Sequence, residues 1–187
     1  MTRNSHAIDI SDPRFGPRVW PRAAPVDSVF WHHGPPDGAF AVVPAVATTN
    51  GRAHRAGGPG TWYGVDHLEG VGAEIARHFL GRGVDAHLIV RRVGRVRVQM
   101  PLLDLTDPEV ERALGIRRHD LVADDYRACQ DVAAACRREG FCGMLAPSAA
   151  LAGAVNVVVF PRGQDGLTVI STELVTAAEL SINRSPL

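Results

Sequence analysis

NGRAHRAGGPGTWYGVDHLEGVGAEIARHF, from Asn50 to Phe79, changes its periodicity halfway along. The first half places Gly57, Gly58 and Gly60 ahead of the aromatic pair Trp62 and Tyr63, a composition of loop and strand with few helix formers. In the second half Leu68, Val71, Ile75 and Phe79 recur at three- and four-residue spacing, which predicts an amphipathic helix packed on a core. Asp66 suits its N-cap, with Glu69 where a capping-box partner belongs.

Working outward from this junction, Val29, Phe30 and Trp31 predict a short strand with His32 and His33 at its end, broken by the turn formers of GPPDG at Gly34–Gly38. Residues 1–26 carry Pro13, Pro17, Pro21 and Pro25 among arginines and predict an extended arm, leaving residues 27–187 as the folded domain. Downstream, Ala86–Val90 and Val96–Leu103 are β-rich runs separated by RRVGR, which predicts a hairpin or two sheet strands. A second long helix is expected from about Asp124, with Tyr126, Cys129, Ala133 and Cys136 on one face and Gly140 closing it. Further strands are expected at Cys142–Ala146, Val155–Phe160 and Leu167–Ile170. Strands before, between and after two or three helices predict an α+β fold: a single domain with a mixed, mostly antiparallel sheet and flanking helices.

Composition excludes several classes. With 45% apolar and 21% charged residues in 187, the chain has the ordinary globular mix for one compact domain. Twenty basic side chains balance twenty acidic ones, so no global field attracts phosphate backbones, and direct nucleic-acid binding is not expected. The first residues lack the apolar run of a secretory signal and no stretch is long enough to span a bilayer, which points to a cytoplasmic protein with no membrane contact. Cys129, Cys136 and Cys142 form no disulfide framework and no CxxC pair; they read as reduced core residues. Neighbouring strand residues point to opposite faces, so His32 and His33 are poorly placed to share a metal, and none is expected. Arg91, Arg92, Arg95 and Arg97 read as a solvated strand face.

Common catalytic motifs are missing: there is no GxxxxGK[ST] loop, no strand-GxGxxG-helix unit, no HExxH and no GxSxG. What remains is a spaced set, Arg52, Tyr63, Glu74 and, in MLAPSAALAGAVNVVVF, Ser148. Individually each has a plain alternative, in turn a solvated loop arginine, a core aromatic, a solvent-facing glutamate and a turn-capping serine.

Taken together, GRAH followed by GGPGTWYG, the Ala73–Glu74 pair, DDYRACQ, GFCGMLAPSA and NVVVF resemble the RES domain from about Phe30 to Phe160. Members of that family pair with small helix-turn-helix antitoxins and degrade NAD, and their fold is related to ADP-ribosyltransferases. The resemblance implies NAD as substrate with no further cofactor, an antitoxin partner, and Glu74, Arg52 and Tyr63 as catalytic residues. It adds His32 and Ser148 to Arg52 and Tyr63 as NAD-binding residues. A homodimer is left open.

The residue types suit the chemistry. Cleaving the nicotinamide–ribose bond creates an oxocarbenium-like sugar, which a fixed carboxylate stabilises; Glu74 fits, with Gly70 one turn earlier leaving it uncovered. Arg52 offers a bidentate fork for pyrophosphate, Tyr63 a flat face for nicotinamide or ribose, and Ser148 a hydroxyl for a phosphate or ribose. Two positions depart from the family pattern: His32 stands where an arginine is usual, and Ala53 where an aromatic residue follows the arginine. Three outcomes stay open: phosphorolysis or hydrolysis of NAD, transfer of ADP-ribose to a protein, and a degenerate domain that only binds a protein partner.

Overall fold

The computed structural model describes residues 20–79 and 83–182. Its strands are β1 (Ala24–Gly34), β2 (Trp62–Val65), β3 (Val90–Asp104), β4 (Gly143–Pro147), β5 (Val155–Val159) and β6 (Leu167–Thr176). They form one sheet in the order β1-β2-β5-β4-β3-β6, and β1 also pairs with β3. Only β3 and β4 run parallel, across Leu103–Met144 and Asp104–Leu145. Around the sheet lie α1 (Leu68–His78), α2 (Pro108–Leu114), α3 (Arg118–Val122), α4 (Arg127–Arg138) and α5 (Ala177–Ile182). This is the expected α+β single domain with a mostly antiparallel sheet. Among the described residues no helix is long and apolar enough to cross a membrane.

The largest departure from expectation is β3. The two runs expected as a hairpin form one strand of 15 residues, bordered by β1 along one edge and by β6 and β4 along the other. Gly94, read as part of a turn, is there for close approach: a Cβ on it would lie 2.1 Å from the Ser171 carbonyl oxygen and 3.0 Å from the Phe40 ring. A register shift between Arg95 and Val96 absorbs the irregularity. The arginines divide into two pairs. Arg95 and Arg97 are solvent-exposed, whereas Arg91 and Arg92 are half-buried, and Arg92 donates to the backbone oxygens of Gly38 and Pro36.

Strand β1 is longer than the three residues expected and starts at Ala24, inside the stretch read as an arm; Trp20 packs on Phe141 with ring centroids 5.8 Å apart. Residues 1–19 of that arm lie outside the described residues. Helix α1 starts one residue later than expected, with His67 as its N-cap and no side-chain cap. Asp66 instead ties β2 to β5: its amide donates to the Val155 carbonyl and its carboxylate accepts from the Val155 amide, both at 3.0 Å. Gly70 likewise has a different role. A Cβ there would lie 2.4 Å from Val65 Cγ2, so the glycine lets α1 settle against β2. Gly140, at φ +83°, follows the last turn of α4 as expected.

Three apolar groups complete the interior. Leu103, Leu105, Leu121, Cys136 and Phe160 pack α2–α4 against the sheet; Phe30, Trp62, Val96 and Leu102 fill the strand layer; Val65, Val71, Ile75 and Val93 hold α1. Each such fully buried side chain contributes about 1.5–3 kcal/mol.

His32 joins β1 to β2, whose ladder has the single register pair Trp31–Val65. Its Nδ1 donates to the Tyr63 carbonyl at 2.6 Å, and its ring lies 4.8 and 4.7 Å, between centroids, from Phe40 and Trp62. Burial lowers its pKa from 6.5 to about 3. Between those values the unfolded chain binds a proton that the folded chain does not. Stability from this site is therefore full above about pH 6.5 and lost as pH falls towards 3. Chemical denaturation across that range should give a pH slope that is shallower in His32→Gln, by up to about 1.4 kcal/mol per pH unit. Equal slopes in the two proteins would contradict a buried, neutral His32.

Candidate functional site

Strand and helix ends leave a cavity of about 300 Å³ between the end of β1, the Thr49–His54 segment, α1 and the turn at Ala149–Ala150. Arg52, Tyr63, Glu74 and His32 all line it, although they are far apart in the chain. Ser148 does not.

Arg52 is held in place before any ligand arrives. Nη1 donates to the carbonyls of Leu121 at 3.0 Å and Ala123 at 2.8 Å, and the guanidinium carbon lies 4.7 Å from the Tyr126 ring centroid. Its loop is pinned from α4: Gln130 Nε2 donates to the carbonyls of Gly51 and His54, and Arg137 Nη2 to that of Ala53. Gly60 permits the loop to fold back, since a Cβ there would lie 2.2 Å from the Pro44 oxygen.

Tyr63 turns its hydroxyl into the protein. The oxygen accepts from the Ala53 amide at 2.9 Å and lies 3.1 Å from His54 Nδ1, and burial pushes its pKa up, so it stays a neutral phenol. What it offers the cavity is therefore its ring. Ala53 is 1% exposed and sits in the α4-facing core beside Tyr63. The small residue at this position keeps the segment packed against the tyrosine that lines the cavity.

Glu74 lies on the α1 face that meets β5. Asn156 Nδ2 donates to its Oε1 at 3.0 Å, and His33 Nε2 is 3.7 Å from its Oε2. Asn156 Oδ1 is buried with no hydrogen-bond partner in the protein. His32 and His33 were expected on opposite faces, yet both rings line the cavity, near-parallel with centroids 6.3 Å apart. Among the described residues no group of three or more His, Cys, Asp or Glu is arranged to hold a metal ion.

Ser148 is buried, and its Oγ accepts from the amides of Ala150 and Leu151, both at 3.2 Å. That is the turn-capping geometry, and it shapes the Ala149–Ala150 wall from behind. Ser148 thus stands behind the cavity lining, with its two acceptor sites used by its own turn.

Sequence reasoning passed over several lining residues: His33, His54, Arg77, Tyr126 and Asn156. Two had a usable signal. Arg77 follows Glu74 by one helical i,i+3 step, and Asn156 is the polar residue that opens the otherwise apolar NVVVF strand. Arg77 spans the cavity rim, donating to the Ala149 carbonyl at 2.5 Å and pairing with Asp124. Residues Asn50 and Tyr126 are shared with a shallower groove that also has Arg55, Arg127 and Gln130 in its walls.

The RES domain family model matches residues 18–181. The probable NAD(+) phosphorylase Rv3189 of Mycobacterium tuberculosis is 44% identical over 131 residues, which are 70% of this chain and 63% of that relative's length. A chain in the crystal structure of the M. tuberculosis MbcT–MbcA toxin–antitoxin complex is similar in fold, with a TM-score of 0.75 at 21% identity, over 87% of this chain and 92% of that one. The family-model match over most of its length shows that this chain belongs to the RES domain family.

Proposed function

We propose that this protein cleaves NAD at the nicotinamide–ribose bond, with phosphate as the acceptor. The observation that carries the reading is the convergence of Glu74, Arg52 and the Tyr63 ring on one cavity. It draws further support from the relative named a probable NAD(+) phosphorylase.

In this reading the bond between ribose C1′ and the nicotinamide ring nitrogen breaks heterolytically. The electron pair passes to that nitrogen, cancelling its charge, while positive charge develops at C1′ and is met by the Glu74 carboxylate. A phosphate oxygen then bonds to C1′, giving free nicotinamide and ADP-ribose carrying the new phosphate. Tyr63 offers a ring face to the nicotinamide. The unpartnered Oδ1 of Asn156 can accept a hydrogen bond from a ribose hydroxyl or the carboxamide. Arg52, already fixed by the Leu121 and Ala123 carbonyls, is preorganised for the pyrophosphate. His32 presents an unprotonated Nε2, because its Nδ1 proton is committed to the Tyr63 carbonyl. A cavity of about 300 Å³ is small for a whole dinucleotide, so the adenosine half lies in the adjoining groove beside Tyr126 and Gln130. NAD is the substrate in this scheme, with no further cofactor.

A cytoplasmic enzyme of this kind would drain its host's NAD, so a small antitoxin-like protein is proposed to cover the cavity mouth. The fold likeness to a chain of a toxin–antitoxin complex motivates this. Expression of this chain alone should arrest growth and lower cellular NAD, and Glu74→Gln should relieve both. Unchanged NAD on expression of the folded wild-type protein would count against the toxin reading.

The kinetic test separates two roles. Glu74→Gln keeps size and removes the charge that acts mainly in the transition state, so kcat should fall roughly a hundredfold, about 3 kcal/mol, with KM for NAD little changed. Arg52→Ala should raise KM as well, because a pyrophosphate contact exists in the ground state too. A Glu74→Gln protein that loses binding while keeping kcat would reduce the glutamate to a positioning group and end this mechanism.

A further inference from the structure

Arg91 was read from the sequence as one of four solvated strand arginines, but it reaches the far side of the cavity wall. Its Nε and Nη2 lie 3.3 and 3.2 Å from Nδ1 of His33, and its guanidinium carbon is 5.6 Å from the centroid of Phe79, the residue that caps α1. One side chain thus touches the end of β1 and the end of the helix that carries Glu74.

We propose that Arg91 is a positioning residue for Glu74, acting through the tautomer of His33. A guanidinium has five N–H donors and no acceptor, so the ring nitrogen facing it must present a lone pair. That nitrogen is Nδ1, and the single proton of the neutral ring then sits on Nε2. Nε2 faces Glu74 Oε2 at 3.7 Å, while Asn156 Nδ2 donates to Oε1 at 3.0 Å. The carboxylate is thereby flanked by an N–H on each oxygen. With the proton on Nδ1 instead, a lone pair on Nε2 would face the carboxylate and repel it.

The neighbouring residue shows the same logic with the opposite result. His32 Nδ1 faces the Tyr63 carbonyl, which only accepts, so His32 carries its proton on Nδ1. Two adjacent histidines in one cavity wall are thus set in opposite tautomers by partners of opposite character. Without Arg91, His33 would be free to take either form, and Glu74 would lose one of its two fixed flanks. The carboxylate would still be present and charged, so the loss falls on kcat and leaves the binding of NAD intact.

The tautomer part of this inference stands by itself; its kinetic consequence rests on the NAD-cleavage reading. The test begins with nitrogen-15 NMR of histidine-labelled protein, in which His33 should show the Nε2–H tautomer in the wild type and lose that single state in Arg91→Met. Methionine keeps the apolar stem against Phe79 and removes the donors, and thermal unfolding checks that the fold is retained. In NAD cleavage, Arg91→Met should lower kcat roughly tenfold with KM within about twofold, the scale of an outer group that orients a reacting one. The same substitution made in a His33→Ala background should add less than about a twofold further loss, because the path from Arg91 to Glu74 runs through the imidazole. Arg91→Lys, which restores a donor, should recover part of kcat. An Nδ1–H tautomer at His33 in the wild type overturns the proposal, as do losses from Arg91→Met and His33→Ala that multiply independently. If wild type and variants all leave NAD untouched, the NAD-cleavage reading fails and the NMR result alone decides the role of Arg91.

Discussion

The hydrogen bond from Asn156 to Glu74 joins the helix α1 to the strand β5, and most of the site follows from what makes it possible. Gly70 lets α1 approach β2 without a Cβ in the way, Asp66 just ahead of the helix bonds Val155, and Val71 and Ile75 bury the face adjoining Glu74. Each of these sets the height and rotation of α1 over the sheet. A helix displaced by a fraction of a turn would carry Glu74 out of reach of Asn156 and His33 together. The carboxylate is thus placed by backbone packing more than by its own contacts, as a preorganised electrostatic group requires.

The opposite wall is built on a different principle. The Gly51–His54 segment has one isolated bridge of its own and takes its shape from side chains that come from α4. Gln130 and Arg137 donate to three of its carbonyls, and Arg52 in turn donates to carbonyls of the α3 end. Exposed pairs such as Arg97–Asp27 and Arg117–Asp120 contribute little to stability in water, whereas the half-buried Arg137 holds the loop that presents Arg52. The balanced net charge fits this picture, because the cations at the cavity are local and structurally anchored.

Legibility in the sequence followed the range of the interactions. The helix α1 and its apolar stripe were readable because periodicity is local, and so was the closure of α4 at Gly140. The convergence of Arg52, Tyr63 and Glu74 was suggested by family resemblance; no local rule could have shown it. What escaped depends on contacts between distant segments. Gly94 resembles a turn residue until β6 and Phe40 are known to press on it. Asp66 resembles an N-cap until β5 offers it the Val155 amide. Arg91 resembles its exposed neighbours until His33 and Phe79 are known to meet it. Ser148 was singled out for a ligand contact, and the amides of Ala150 and Leu151 that its hydroxyl accepts from could not be read from the sequence. His33, which flanks Glu74 together with Asn156, carries no sequence signature of that partnership.

The account turns on bond cleavage at the nicotinamide end of NAD, and product identification tests it most directly. Purified protein should be incubated with NAD in the presence and absence of inorganic phosphate, with the products followed by phosphorus NMR and mass spectrometry. The account predicts stoichiometric nicotinamide together with a phosphate ester at ribose C1′ of ADP-ribose, formed only when phosphate is present. Intact NAD after incubation with folded protein, or cleavage at the pyrophosphate instead of the glycosidic bond, would contradict it.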